Sequence, residues 1–435
     1  MSTPLGEKRN ILMLSWEYPP VLVGGLGRHV HALATSLAAA GHTVTVATRH
    51  GLHPDGSPAA MDETVDGVRI VRAPQDAPLF EFHQDTLLAW TLAFNHALTR
   101  TALRAAQTQE FDVIHAHDWL VTHAAVTLKH HLDIPLVATL HSTEAGRHQG
   151  WLPDDTSKAI HSIEWWLTYE ARRVLTCSEY MRWEVEHLFE LPDGKVDVVP
   201  NGVDRDSFTA TAPDTEPLRA AYGGGPIVLH AGRLVHEKGV QDLLDATPAL
   251  VQRHPGLKVL IAGEGPWEDE LRQRADDLGV TGTVEFLGFV GGSRLPALLA
   301  SADCFTIPSR YEPFGMVALE AVAAGTVVVA ADAGGLTEFI IDDETGKTHR
   351  PGDPESLANA VSAVLDDPEL AERLRDNASD MIGRHYTWGP IAEQTVATYR
   401  RAETEEISVG AELAATELRV TIPDGNLLAD SHRQV

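Results

Sequence analysis

The chain has 435 residues, 43% of them apolar and 22% charged, a composition that builds packed domains and excludes a disordered chain. Its length exceeds one ordinary core and fits two domains of about 200 residues each. With 62 Asp and Glu against 34 Lys and Arg, a formal charge of −28, long-range electrostatics oppose nucleic acid and anionic membranes as partners, so an anionic ligand needs a local basic site.

Cys177 and Cys304 are the only cysteines, which excludes a disulfide framework or a cysteine metal site and fits a reducing compartment. The N-terminal run ILML is strand length rather than a signal-peptide core, so a cytoplasmic location is expected. The segment LLAWTLAFNHAL (87–98) is broken by Asn95 and His96 and followed by Arg100. It falls short of the roughly 20 residues that span a bilayer and reads as a buried helix, so no transmembrane segment is expected.

Short β-branched or leucine-rich runs alternate with longer segments of helical period, the pattern of parallel βαβ units. NILMLSW is the first strand; then Val30, Leu33, Ala34, Leu37 and Ala38 mark one face of a helix ending at Gly41. In the intervening EYPPVLVGGLGRHV, Gly24, Gly25 and Gly27 precede the helix start, where free N–H groups can meet phosphate oxygens. Neither G-x-G-x-x-G nor G-K-[ST] spacing is present, and a tight turn without a ligand is equally open.

Strands are expected next at TVTVAT, GVRIVRA, DVIHAH, PLVATLH and VDVVP, with helices near 85–107, 119–131, 156–174 and 178–189. DVIHAHDWL puts His115 and His117 on one strand face with Asp118 at the strand end. No third ligand has metal-site spacing, so no metal is expected there, and strand-end histidines more often hydrogen-bond substrate or backbone. ATLHSTEAGR ends a strand at His141, a cleft residue or a satisfied structural one.

The pattern breaks at 204–225, where turn and breaker residues without a period read as a linker. A second series follows, with strands at PIVLHAGRL, KVLIAG, TVEFLG, DCFTIPS and TVVVAA and helices at 239–254, 266–278 and 315–324. The chain thus divides into an N-terminal domain (1–205), a linker (206–225), a C-terminal domain (226–386), a helix (387–402) packing back on the first domain, and an acidic tail (403–435). In the tail only LRVTIP resembles a strand, and it reads as a peripheral appendage. Two doubly wound α/β lobes leave a cleft at the carboxyl ends of both sheets.

In the second lobe, GRLVHEKG places Arg233 and Lys238 between a strand and a helix, a fork and a point charge suited to a diphosphate. An isolated pair of this spacing is also an ordinary solvated one. RYEPFGMVALEAVAAG (310–325) turns through Pro313 and Gly315 into a helix whose first amides are unpaired, with Glu312 on the loop and Glu320 inside the helix. A carboxylate there accepts hydrogen bonds from sugar or ribose hydroxyls, and one beside a reacting anomeric carbon stabilises developing positive charge.

Together and in this order, GGLG, HAHDW, TLHSTEAGRHQG, VVPNGVD, GRLVHEKG, AGEGP, PSRYEPFGMVALEAVAAG and GGLTEFI resemble the family 4 glycosyltransferases over about residues 10–400. Within that family the chain is most similar to glycogen synthase-like enzymes, above all the actinobacterial α-1,4-glucosyltransferases of methylglucose lipopolysaccharide synthesis. The resemblance implies a GT-B fold, two Rossmann-like domains facing a central cleft, and a retaining transfer of glucose from a nucleoside-diphosphate-glucose to an α-1,4-glucan or related oligosaccharide.

It also implies roles. Gly24 and Gly25 would lie at the donor phosphate, with Phe314, Gly315 and Met316 at the second phosphate-facing helix start. Arg233 and Lys238 would neutralise the leaving diphosphate, and Glu320 would hold the ribose. Glu312 would face the transferred sugar near its C3 and C4 hydroxyls, His141 would bond its 6-hydroxyl, and Asp118 would lie on the acceptor side. Neither metal nor other cofactor is implied; the partners are the sugar nucleotide and the glucan or oligosaccharide acceptor.

ADP-glucose-type glycogen synthases carry K-x-G-G-L, and here the lysine position is Val21 or Val23, which leaves UDP-, ADP- and GDP-sugars open as donors. A family 4 mannosyltransferase or a maltose-1-phosphate synthase would share every motif, and a sugar-nucleotide epimerase has a similar fold.

Overall fold

A computed structural model describes residues 7–74, 83–209 and 215–415. The first apolar run forms β1 (Asn10–Leu14), which leads into α1 (Gly25–Ala39), β2 (Thr43–Arg49), β3 (Asp62–Val65) and β4 (Val68–Ala73). After α2 (Leu87–Ala106) come β5 (Val113–His117), α3 (Thr122–Leu132), β6 (Leu136–Leu140), α4 (Glu144–Arg147) and α5 (Asp155–Glu170). The first lobe closes with β7 (Arg173–Thr176), α6 (Glu179–Phe189) and β8 (Val196–Val198).

These strands form one eight-stranded sheet in the order β3-β4-β2-β1-β5-β6-β7-β8. Every pair is parallel except β3 with β4. β5 and β6 are buried along their whole length, as strands covered on both faces require. The apolar segment 87–98 lies in α2 beside the sheet, where the buried Asn95 side chain donates to the Leu120 carbonyl and accepts from the Ala124 amide. Among the described residues, no helix is long and apolar enough to cross a membrane.

The segment read as a linker contains two short helices, α7 (Arg205–Thr209) and α8 (Glu216–Ala221), the second started by a proline in its first turn. The second lobe follows as β9 (Ile227–Ala231), α9 (Val240–Arg253), β10 (Lys258–Ala262), α10 (Glu268–Asp277) and β11 (Val284–Gly288). It continues through α11 (Arg294–Ser301), β12 (Cys304–Ile307), α12 (Met316–Ala323), β13 (Val327–Ala331) and β14 (Lys347–His349). Its sheet is parallel, in the order β11-β10-β9-β12-β13-β14.

Both sheets reverse direction of winding beside their first strand, between β1 and β5 and between β9 and β12. Those switch points open at the carboxyl ends of the strands, which is where such sheets bind ligands. A continuous buried apolar cluster crosses from Leu12, Leu140 and Met181 of the first lobe to Phe314 and Leu319 of the second.

α13 (Pro354–Asp366) and α14 (Pro368–His385) precede α15 (Trp388–Ala415). Ile391, Ala392, Val396, Tyr399 and Ala402 of α15 share a buried cluster with Val30, Leu33 and Leu37 of α1. The tail starts differently from the expectation of a peripheral appendage at Glu403. α15 runs through that residue without a break, and Glu403, Glu405 and Glu406 pair with Arg9, Arg173 and Arg172. These acidic residues meet arginines at two places, just before β1 and at the start of β7. LRVTIP lies outside the described residues.

A second difference is β7, which the sequence reading absorbed into a helix over 156–174. Its four residues begin with an arginine, too short and too polar an opening to stand out from the helix before it.

Candidate active site

The residues singled out from the sequence come from strand ends flanking the two switch points. After β1, the chain reaches Gly24 and Gly25, but the Val23 and Gly24 amides both donate to Glu17 Oε2, at 2.7 and 2.9 Å. An internal carboxylate thus occupies the first turn of the glycine-rich segment. A Cβ added to Gly25 would sit 3.3 Å from the Met316 sulfur, so this turn and the start of α12 face each other across the lobe boundary.

Asp118 ends β5 at φ 60°, ψ 172°, a region that costs a non-glycine residue roughly 1–3 kcal/mol and persists where surroundings over-determine it. Its Oδ1 accepts the His141 amide at 2.8 Å. Burial pushes the Asp118 carboxyl up to about 6 and the His141 imidazole down to about 4. His141 is therefore neutral at physiological pH and shares an N···N hydrogen bond of 3.2 Å with His117.

The third histidine that the sequence spacing did not supply is His29 on α1, edge-on to His141 with ring centroids 4.6 Å apart. The ligand atoms of His29, His117 and His141 lie within 4.8 Å of one another. The fold thus brings together three imidazoles, a grouping that could hold a metal ion and that the sequence spacing alone did not show. The His115 ring packs on His117 with centroids 4.1 Å apart, and its two nitrogens are taken up by Tyr399 and Thr139 at 2.7 Å each.

In the second lobe, Lys238 Nζ donates to Glu312 Oε2 at 2.7 Å, and Ser309 Oγ reaches the same oxygen at 3.2 Å. The two residues that sequence reading placed on separate motifs are thus one ion pair, both members mostly buried. Gly239 makes this approach possible: it sits at φ 69°, and a Cβ there would lie 1.9 Å from the Pro308 carbonyl oxygen. Arg233 remains exposed on the loop after β9, 3.8 Å from Glu237.

Gly315 caps α12 at φ 99°, where a Cβ would strike Leu336 at 2.6 Å. The Gly335 amide donates to the Glu312 carbonyl at 2.9 Å, so the GGL turn buttresses the loop that carries Glu312. The Phe314 ring packs on Phe339 and Tyr386. Its side chain belongs to the core. Glu320 is buried on α12 and pairs with Arg28 of α1, and burial raises its carboxyl while Arg28 opposes the shift.

Sequence reasoning missed the residues that bring the lobes together. Tyr311 is buried in the first lobe, its hydroxyl donating to Glu184 at 3.0 Å; Ser178 Oγ donates to the Pro313 carbonyl at 2.7 Å. Tyr311 stood one residue from Glu312, and nothing in its spacing distinguished it from core.

Two family models match the chain, Glycosyltransferase Family 4 over residues 23–207 and Glycosyl transferases group 1 over 216–381. A glycogen synthase of Mycobacterium tuberculosis is 44% identical over 405 residues, covering 91% of this chain and 95% of that one. The chain belongs to glycosyltransferase family 4. A D-inositol 3-phosphate glycosyltransferase of Actinosynnema mirum is 32% identical over 87% of this chain and 92% of its own. Among solved structures, the sucrose-phosphate synthase of Thermosynechococcus elongatus superposes with a TM-score of 0.76 at 26% identity, covering 91% of this chain and 99% of that one. The architecture of this glycosyltransferase is GT-B, and it is an enzyme of hexosyl transfer.

Beside Asp118 the glycosyltransferase holds one half-buried cation among several carboxylates. Arg147 pairs with Glu144 at 3.1 Å and donates to Ser142 Oγ at 2.5 Å, while Glu164 accepts the Glu144 amide at 2.9 Å. Burial pushes Glu164 up to about 8, with Arg147 opposing. A folded-state value above the ordinary 4.5 means that the folded chain keeps this proton longer than the unfolded one. Stability from Glu164 is therefore full below its unfolded value and is lost as pH rises through about 8. Glu164→Gln, which cannot ionise, is expected to melt like wild type near pH 5 and at higher temperature than wild type near pH 9, by thermal denaturation at both pH values. A Tm difference that does not change with pH would contradict the assignment.

A cavity of about 430 Å³ between α9 and α10, lined by His236, Asp245, Trp267, Arg274 and Arg310, contains none of the residues above. Its arginines are already paired, Arg274 with Asp245 and Arg310 with Asp242.

Proposed function

We propose that this enzyme is a retaining glycosyltransferase that moves glucose from a nucleoside-diphosphate-glucose to an α-1,4-glucan or related oligosaccharide. The observation that carries the reading is the Lys238–Glu312 pair beside the start of α12, with Glu320 on the same helix. A sugar nucleotide laid along it would have its diphosphate at the helix start, its ribose at Glu320 and its sugar at Glu312. The 44% identity to a protein named glycogen synthase supports glucose and a glucan over the other family 4 chemistries.

In the step proposed, the bond from the anomeric carbon to the phosphate oxygen breaks and its electron pair leaves with the diphosphate. Arg233, Lys238 and the amides opening α12 stabilise that charge, and the Glu312 carboxylate stabilises the oxocarbenium character of the sugar. The acceptor hydroxyl attacks from the face the diphosphate leaves, so configuration is retained, and its proton passes to the departing phosphate oxygen. His141, neutral and fixed by Asp118 and His117, orients the 6-hydroxyl. Contact between the lobes excludes water.

The test is a panel of UDP-, ADP- and GDP-hexoses offered with a maltooligosaccharide, the product linkage read by NMR. Extension by an α-1,4-linked glucose is the expected result. Mannosyl transfer, maltose 1-phosphate formed from glucose 1-phosphate, or epimerised donor without an acceptor would each replace this reading. Activity is expected to persist in EDTA, since protein cations and helix amides carry the neutralisation; loss on chelation restored by Mg²⁺ or Mn²⁺ would contradict the mechanism.

A further inference from the structure

Glu320 is a buried carboxylate, and its two oxygens are treated differently. Oε1 accepts from Arg28 Nη1, across the boundary between the lobes, while Oε2 is buried without a hydrogen-bond partner. Arg28 sits just past the glycine-rich turn on α1, two-fifths exposed, whereas the Glu320 side chain is 9% exposed. The pair lies beside the contact between Gly25 and Met316.

A buried carboxylate with no cation is costly, and a hydrogen-bonded guanidinium offsets that cost. Ribose hydroxyls are neutral donors. They can satisfy an oxygen but cannot balance the charge, so a ribose arriving at Glu320 does not remove the need for Arg28. The free Oε2 is the atom with hydrogen-bonding capacity to spare.

Resting on the reading of Glu320 as the ribose-holding residue, we propose that Arg28 is the first lobe's donor-positioning residue. It fixes Glu320 through Oε1 and so presents Oε2 to the ribose of the nucleoside diphosphate. The same bond draws α1 onto α12, and donor recognition is thereby shared between the lobes. Arg28 itself touches neither the reacting carbon nor the diphosphate.

The experiment compares wild type, Arg28→Ala, Arg28→Lys, Glu320→Gln and the double variant Arg28→Ala/Glu320→Gln. Donor KM and kcat come from initial rates, and calorimetry is run with UDP, ADP and inorganic pyrophosphate as probes. Arg28→Ala is expected to raise donor KM and weaken nucleoside diphosphate binding by about tenfold while kcat changes far less, the pattern of an interaction present before and during reaction. Pyrophosphate, which has no ribose, should bind as it does to wild type. Arg28→Lys should recover most of the loss, and the double variant should be no weaker than Glu320→Gln alone, because both changes break one unit.

Unchanged donor KM in Arg28→Ala, an equal loss for pyrophosphate, or losses that multiply in the double variant would each overturn the proposal. A wild-type protein that binds neither UDP nor ADP and transfers no hexose would instead overturn the reading beneath it, and the proposal with it.

Discussion

Lys238→Ala is expected to lower kcat/KM for the donor by about 10² to 10³, as does removal of a single donor aimed at a developing anion. The ammonium lies 2.7 Å from Glu312 and both side chains are mostly buried, so it is already desolvated and held where a diphosphate would compete for it. Its removal has a second consequence. Glu312 is buried, and without Lys238 only the Ser309 hydroxyl remains on its Oε2, so the variant should melt below wild type. Adding Glu312→Gln removes the stranded charge. The double variant should regain much of the lost Tm while remaining inactive, which separates the catalytic loss from the structural one. A folded Lys238→Ala enzyme with wild-type kcat/KM would sink the assignment.

Glu312→Gln should fail in a different way. It removes negative charge where positive charge develops, so kcat is expected to fall by about 10² or more with donor KM little changed. The structure adds a sign to the binding side of this prediction. Since Glu312 holds Lys238 in an ion pair, its neutralisation frees the ammonium for phosphate, and affinity for the nucleoside diphosphate should hold or improve. Initial rates and calorimetry with UDP and ADP check both halves. A variant that binds diphosphate more weakly and turns over normally would make Glu312 a structural anchor for Lys238 and nothing more.

The architecture was legible because it is written locally. Buried parallel strands need unbroken apolar runs, α1 needs its apolar face at Val30, Leu33, Ala34 and Leu37, and both requirements can be read within a few residues. The placement of Glu312 before a helix and of Glu320 inside it was legible for the same reason, since one short segment carries both. What could not be read were relations made by the tertiary fold. The Lys238–Glu312 pair joins loops after β9 and β12, which are sheet neighbours but distant in sequence. Arg28 follows the glycine-rich turn, and nothing in its spacing shows that Glu320 of α12 lies opposite it. His29 carries no metal spacing in the chain, yet it packs on His141 once α1 lies over the sheet. The Glu17 carboxylate, which occupies the amides of Val23 and Gly24, preceded the glycines openly in EYPPVLVGG. Its role depended on how the turn folds back.

The most direct test of the account is a crystal structure with an unreactive 2-fluoro analogue of the donor sugar nucleotide. The diphosphate should lie at the start of α12 within hydrogen-bonding distance of Arg233 and Lys238, the ribose on Glu320, and the sugar between Glu312 and His141. A diphosphate seated elsewhere, such as the cavity between α9 and α10, or a sugar remote from Glu312, would contradict it.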